Sequence, residues 1–357
     1  MANANSAVLT GLAVLGGREA PWCPADADGS ANDAGKPMRS GMMIRAAMLA
    51  AALAMAPIMA PGDGRAAEGV TPAAAGRAVK TEAQTIRLFG ASIKYYEAGQ
   101  GPTLVLVHGL GSSATGDWGK VMADLAKTHH VLALDQLGFG ASDKPMIDYA
   151  IQTWVDFLGE FLRQKKVTDF TLMGESLGGW ISAQYTIQAL DGIAADPAFA
   201  LPKPTRLVLC DAAGRHDTMA KAFGPKPTGA DAPPPAASLA GQKAMLGAIF
   251  HDPRWSNGPA ALKRGFAWSL SKGDAWTIHA VYSNPALLNE TVDGKLKDIT
   301  IPTLVVWGAE DKLLPPADGQ FYADGIPGAK LVTIPDSGHA PMIETPKAFL
   351  AAVEPFL

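Results

Sequence analysis

Leu172-Met173-Gly174-Glu175-Ser176-Leu177-Gly178-Gly179-Trp180 is the stretch on which the reading of the whole chain turns. Phe170 to Met173 has the apolar run of a buried strand, and Trp180 to Ala189 carries apolar residues at helical spacing. Between them lies G-x-S-x-G, the signature of a serine on a tight strand-to-helix turn, a nucleophile elbow. Such a turn strains the serine backbone and leaves room only for small neighbours. Gly174 and Gly178 supply them, and Gly179 lets the helix lie close to the sheet. The Ser176 hydroxyl then projects from the sheet edge, and the amide of Leu177, at the helix start, is placed to meet an oxyanion formed there. Ser176 is therefore read as a nucleophile rather than an incidental serine in a glycine-rich turn.

The 357 residues are 48% hydrophobic, enough to bury a large core in one α/β domain carrying an insertion. The formal net charge is -4 and no long basic run occurs, so nothing would neutralise a row of phosphates. That argues against a nucleic-acid partner and for a small-molecule one.

Residues 1 to about 37 are rich in Ala, Gly, Asn and Asp, without a sustained period. From Met38 to Arg45 the chain is basic, then Ala46 to Ala60 is apolar but too short to span a bilayer, and Gly64-Arg65-Ala66 supplies a small-residue exit. This is the pattern of a secretory signal peptide, with cleavage after Ala66 or Ala67 and a start at Met38, Met42 or Met43. A periplasmic or secreted protein is expected, with no stable membrane anchor after cleavage. Of the two cysteines, Cys23 would be removed with the leader, and Cys210 sits in the apolar run Leu207 to Cys210 as a buried free thiol. No Cys/His cluster has metal-ligand spacing, so neither metal nor cofactor is expected.

The mature chain opens with strand-like runs Thr85 to Phe89 and Ile93 to Glu97 about the turn Gly90-Ala91. Thr103 to Val107 is wholly apolar or β-branched, as a parallel strand covered on both faces should be. It ends in His108-Gly109-Leu110-Gly111, where the amide of Leu110 is assigned as second oxyanion donor. His108 is expected to order this loop rather than move protons. Strand Val131 to Leu134 leads to Asp135-Gln136-Leu137-Gly138-Phe139-Gly140-Ala141-Ser142, with Asp135 binding backbone amides of its own loop. The helix Ile151 to Lys165 completes a β-α-β alternation, which predicts a doubly wound, mostly parallel sheet.

On His108-Gly109-Leu110-Gly111, on Asp135 with Gly138 to Ser142, and on Gly174 to Gly179, the chain resembles the α/β-hydrolase superfamily over residues from about 85 to 357. The resemblance implies a core interrupted by a helical cap at 214–292; with residues 1–67 read above as extension and leader, the core then spans 68–213 and 293–357. It also implies a triad acid after the strand that ends in Trp307-Gly308-Ala309-Glu310-Asp311. Asp311 fits this position, while Asp211, ending the preceding strand, is the alternative used by some relatives. His339, following Gly338 just past the last strand Lys330 to Ile334, completes the order Ser, Asp, His. In the cap, Phe266, Trp268 and Trp276 are candidates for lining an apolar pocket or for gluing cap to core. Lys263 and Arg264 are candidates for a substrate carboxylate or a solvated helix face.

The expected activity is that of a carboxylesterase acting on a small, mostly apolar ester through an acyl-enzyme. Hydrolysis of carbon–carbon bonds in ring-cleavage products is the alternative, against which Glu175 stands where such relatives usually carry Asn. A non-catalytic ligand-binding protein on the same fold is a third reading. Protein from the native host is expected to begin at Ala67 or Glu68, and N-terminal sequencing checks this; a mature chain that retains Met43 would overturn the leader.

Overall fold

The computed structural model describes residues 81–357 except 195, 226, 227, 229–231 and 235. The expected leader and Cys23 lie outside the described residues. Eight strands form one sheet: β1 (Glu82–Leu88), β2 (Ala91–Ala98), β3 (Thr103–Val107), β4 (His130–Leu134), β5 (Phe170–Glu175), β6 (Arg206–Cys210), β7 (Thr303–Gly308) and β8 (Lys330–Ile334). Their order across the sheet is β1-β2-β4-β3-β5-β6-β7-β8. β2 runs antiparallel to both β1 and β4, and every pairing from β4 through to β8 is parallel. This is the doubly wound, mostly parallel sheet that the alternating pattern predicts.

The β1–β2 turn differs from the sequence reading. Phe89, expected as a strand residue, forms the two-residue turn with Gly90, at φ 49° and 87°. A two-residue hairpin of the type with positive φ at both central positions matches the twist of its strands, and this one imposes it on a phenylalanine.

β5 and β7 are buried along their whole length, which is why their centres, Leu172-Met173 and Leu304 to Trp307, read as apolar. The helix Ile151–Gln164 buries Ile151, Trp154, Val155, Leu158, Phe161 and Leu162, one stripe at helical spacing. The helix Leu177–Asp191 is instead buried almost all round. Between β6 and β7 stand the helices His216–Phe223, Leu239–Ile249, Arg254–Asn257, Pro259–Ser271 and Ala275–Ser283. Glu290, at the exit of this insertion, fastens it to the core. Its carboxylate accepts from the amides of Ile151 (2.9 Å) and Gln152 (3.0 Å), capping the positive end of a core helix. Its carbonyl accepts from Trp180 Nε1 at 2.9 Å.

Leu172 lies mid-sheet in β5 with no exposed surface. Leu172→Ala is expected to cost about 2–5 kcal/mol, read as a lower urea midpoint at unchanged slope. Leu270→Gln, at a position 63% exposed, should stay within about 0.5 kcal/mol.

Candidate active site

β5 delivers Glu175 and then Ser176, whose backbone sits at φ 52° and ψ -116°. The tight approaches explain the glycines around it. A Cβ on Gly174 would lie 2.2 Å from the carbonyl oxygen of Gly178, and one on Gly178 would lie 2.2 Å from that of Val107. As first residue of the following helix, Leu177 offers an amide that no preceding helical turn can pair. Leu110, on the loop after β3, lines the same cavity as Ser176, Leu177 and His339.

β7 delivers Asp311 and the loop after β8 delivers His339, both buried. His339 Nδ1 and Asp311 Oδ2 are 2.8 Å apart. The other carboxylate oxygen of Asp311 accepts from the amides of Leu313 (2.8 Å) and Leu314 (3.0 Å). This geometry separates Asp311 from its neighbours in sequence and space. Glu310 turns aside and accepts from the amide of Ser337 at 3.0 Å. Asp211, held at φ 43°, accepts from the amide of Gly308 at 2.8 Å, and its other oxygen meets no donor among the described residues. Burial, then the adjacent Asp311, pushes Asp211 well above the usual carboxylate range. Asp211, Asp311 and His339 each bring one ligand atom to within 4.8 Å of the others. They are the group among the described residues that a metal could use. Asp311 and His339 are already joined to each other by a hydrogen bond.

The His339 loop is pinned to the insertion. Its amide donates to the carbonyl of Ile249 at 2.7 Å. Glu344 accepts from the amides of Gly338 (2.7 Å), His251 (3.1 Å) and Asp252 (2.7 Å).

The loop after β3 is pinned by buried side chains. His108 Nε2 accepts from the amide of Gln136 at 2.9 Å, so the ring proton lies on Nδ1 and donates to the carbonyl of Gly109 at 2.8 Å. Both ring nitrogens are committed to backbone, the loop-ordering arrangement. Asp117 accepts from the amide of Gly109 at 2.8 Å and from the Ser112 hydroxyl. Asp135 accepts from the amides of Ala114 and Ala141, each at 2.8 Å. Lys272, from the insertion, donates to the carbonyl of Gly111 and pairs with Asp274 at 2.9 Å. Desolvation outweighs that attraction and pulls the Lys272 ammonium down to about 8.

The insertion closes the cavity, though with other residues than the sequence suggests. Its wall is Met219, Ala222 and Phe223 from one helix, Ile249 from a second and Val281 and Tyr282 from a third. Phe266, Trp268 and Trp276 do not line it. Trp268 lies beneath the Lys272 ammonium, 4.2 Å from its ring centre. Trp276 is 41% exposed and faces His279, and Phe266 is half-buried. Helical spacing showed that these aromatics share faces of helices, but not which neighbour each face meets. Lys263 and Arg264 are exposed and away from the cavity lining. Sequence reasoning also passed over Glu175 as a site residue. Its Oε1 lies 3.4 Å from His339 Nε2, and the available signal was an acid buried beside the elbow serine.

Residues 102–346 match the family profile of the alpha/beta hydrolase fold, and the chain belongs to that family. It is similar to a 2-hydroxymuconate semialdehyde hydrolase from a Pseudomonas species, 29% identical over 281 residues, covering 75% of this chain and 91% of that protein. It is likewise similar to Lipase 3 of a Moraxella species, 29% identical over 253 residues, covering 69% and 74%. Among solved structures, a meta-cleavage product hydrolase from Pseudomonas fluorescens aligns with a TM-score of 0.63 at 22% identity, over 76% of this chain and 96% of that one. An esterase from Thermogutta terrifontis aligns with a TM-score of 0.60 at 20% identity, over 77% and 97%.

The donor sets of the two aspartates generate a ranking. Asp311→Asn is expected to lower turnover by about four orders of magnitude, because an amide can stabilise the wrong His339 tautomer. Asp211→Asn should be mild in the same steady-state assay. The opposite ranking would move the orienting acid to the end of β6.

Proposed function

We propose that this chain is a serine hydrolase that cleaves carboxylic esters of small, mostly apolar substrates through an acyl-enzyme. Ser176 is the nucleophile, His339 the general base and acid, and Asp311 the group that orients the imidazole. The observation that carries this reading is the cavity. Ser176 and His339 open into a chamber whose other walls are apolar side chains, and no Lys or Arg is among its lining residues.

With Asp311 holding the proton on Nδ1, the free lone pair of His339 is on Nε2, where it takes the Ser176 proton as the oxygen attacks the ester carbonyl. The amides of Leu110 and Leu177 meet the tetrahedral oxyanion, a stabilisation worth about 3 kcal/mol per donor in comparable sites. His339 then returns the proton to the departing alcohol, and water repeats the cycle on the acyl-enzyme. The site faces the periplasm or the medium if the leader at residues 38–66 acts as its pattern suggests.

Carbon–carbon hydrolysis is a second reading, favoured by the names of several relatives, among them the 2-hydroxymuconate semialdehyde hydrolase. A ring-cleavage dienolate bears a carboxylate, which needs placed cations in a desolvated pocket. Lys263 and Arg264, the cap cations nearest in sequence to the candidate aromatics, are exposed and do not line the cavity. An ester requires no such partner.

Short to medium p-nitrophenyl esters should therefore give a higher kcat/KM than a yellow ring-cleavage dienol, followed as loss of its visible absorbance. Ser176→Ala is expected to abolish ester turnover, by about a million-fold in comparable triads, while leaving thermal unfolding nearly unchanged. Far faster turnover of the dienol would hand the function to the second reading. Undiminished ester turnover in the variant would remove Ser176 from its role.

A further inference from the structure

Glu175 is the last residue of β5, fully buried, and neither of its carboxyl oxygens meets a hydrogen-bond donor among the described residues. Its surroundings are specific. Oε1 faces His339 Nε2 at 3.4 Å, and Oε2 occupies the space where a Cβ on Gly109 would lie 2.1 Å away. The charged groups around it are Asp117, Asp211 and Asp311, with Asp117 acting on it most strongly. All three are carboxyls, so nothing but the imidazole is at hand to balance a negative charge on Glu175.

Adjacent carboxyls without a cation between them do not both ionise, and they retain a proton. Which one keeps it is decided by donors. Asp117 accepts from the Gly109 amide and the Ser112 hydroxyl, and Glu175 accepts from nothing. Burial, then the Asp117 charge, pushes Glu175 well above the usual carboxylate range.

We propose that Glu175 is a positioning residue of the hydrolytic site that works as a neutral acid. Its hydroxyl donates to Asp117, and its carbonyl oxygen faces His339 Nε2. The first contact ties the nucleophile turn to the loop that carries Leu110. The second, which rests on the hydrolase reading above, sets how His339 behaves. A carboxylate at this distance would hold a proton on Nε2 and leave no lone pair for Ser176. A neutral carbonyl leaves the lone pair free. It also accepts from the imidazolium too weakly to withhold that proton from the departing alcohol.

Glutamine reproduces the neutral acid, with an amide N–H to donate to Asp117 and a carbonyl to face His339, whereas leucine reproduces neither. Glu175→Gln should keep kcat/KM within about threefold, and Glu175→Leu should lose about tenfold or more in kcat with KM little changed. The acidic limb of the pH profile of kcat/KM, which reports the free enzyme's base, should coincide in Glu175→Gln and the unsubstituted protein. If Glu175 were ionised, its removal would shift that limb to lower pH by about one unit or more, and such a shift overturns the proposal.

Infrared spectra of the unsubstituted protein with glutamate carboxyls labelled by carbon-13 give a readout that needs neither folding of a variant nor turnover. A label-shifted carbonyl stretch of a protonated carboxylic acid should persist at pH 8, and its absence there overturns the neutral acid. Persistence of that band without turnover of any ester or dienol would sink the hydrolase reading and leave the buried neutral Glu175 standing.

Discussion

The site depends on one backbone constraint, the conformation of Ser176 at φ 52° and ψ -116°. A residue with a side chain held there costs about 1–3 kcal/mol, so its surroundings must impose it. They do so from both sides of the turn. The Ser176 amide donates to the carbonyl of Cys210 at 2.9 Å, and its own carbonyl accepts from the amides of Ala213 (2.9 Å) and Trp180 (3.1 Å). Cys210 ends β6, and Trp180 lies in the first turn of the helix after the serine. The strain is thus anchored in the sheet interior, where β5 is paired on both edges. A free Cys210 thiol, fully buried and pushed up by that burial, takes part only through its backbone.

Much of this was legible in the chain because the relevant physics is local. A parallel strand buried on both faces is mostly apolar, so β3, β5 and β7 announced themselves. A strained serine needs glycines at fixed offsets, so the turn after β5 did too. The order of the site residues followed from which strand ends carry Asp311 and His339. Two things were not legible. Helical spacing assigns Phe266, Trp268 and Trp276 to faces, but the partner of a face is fixed by how the insertion lies on the sheet. The wall is built from the small and flexible Ala222 and Met219 together with Phe223, Ile249, Val281 and Tyr282. The choice between Asp211, just past β6, and Asp311, three residues past β7, rested in the sequence on spacing after Trp307-Gly308 and not on residue type. The amides of Leu313 and Leu314, which no spacing rule reports, distinguish them.

The charge distribution follows the same logic of donors. Asp117, Glu175, Asp211 and Asp311 are all buried; Asp311 and Glu175 face His339 at 2.8 and 3.4 Å, and Asp117 also feels the charge of Lys272. In a low-dielectric interior each carboxyl is ionised only as far as hydrogen bonds to its charged form offset lost hydration. Asp311 has two backbone amides and the His339 ring, and Asp117 has an amide and a hydroxyl. Asp211 has one amide and Glu175 none. Burial drives Glu175 and Asp211 upward, so these two are the carboxyls on which the interior most readily holds a proton. In the hydrolase proposed above, this sorting keeps negative charge on the Nδ1 side of His339, where it orients the ring, and away from Nε2. An acid beside Ser176 is compatible with the base role proposed for His339 because, among the described residues, it meets no donor with which to become an anion.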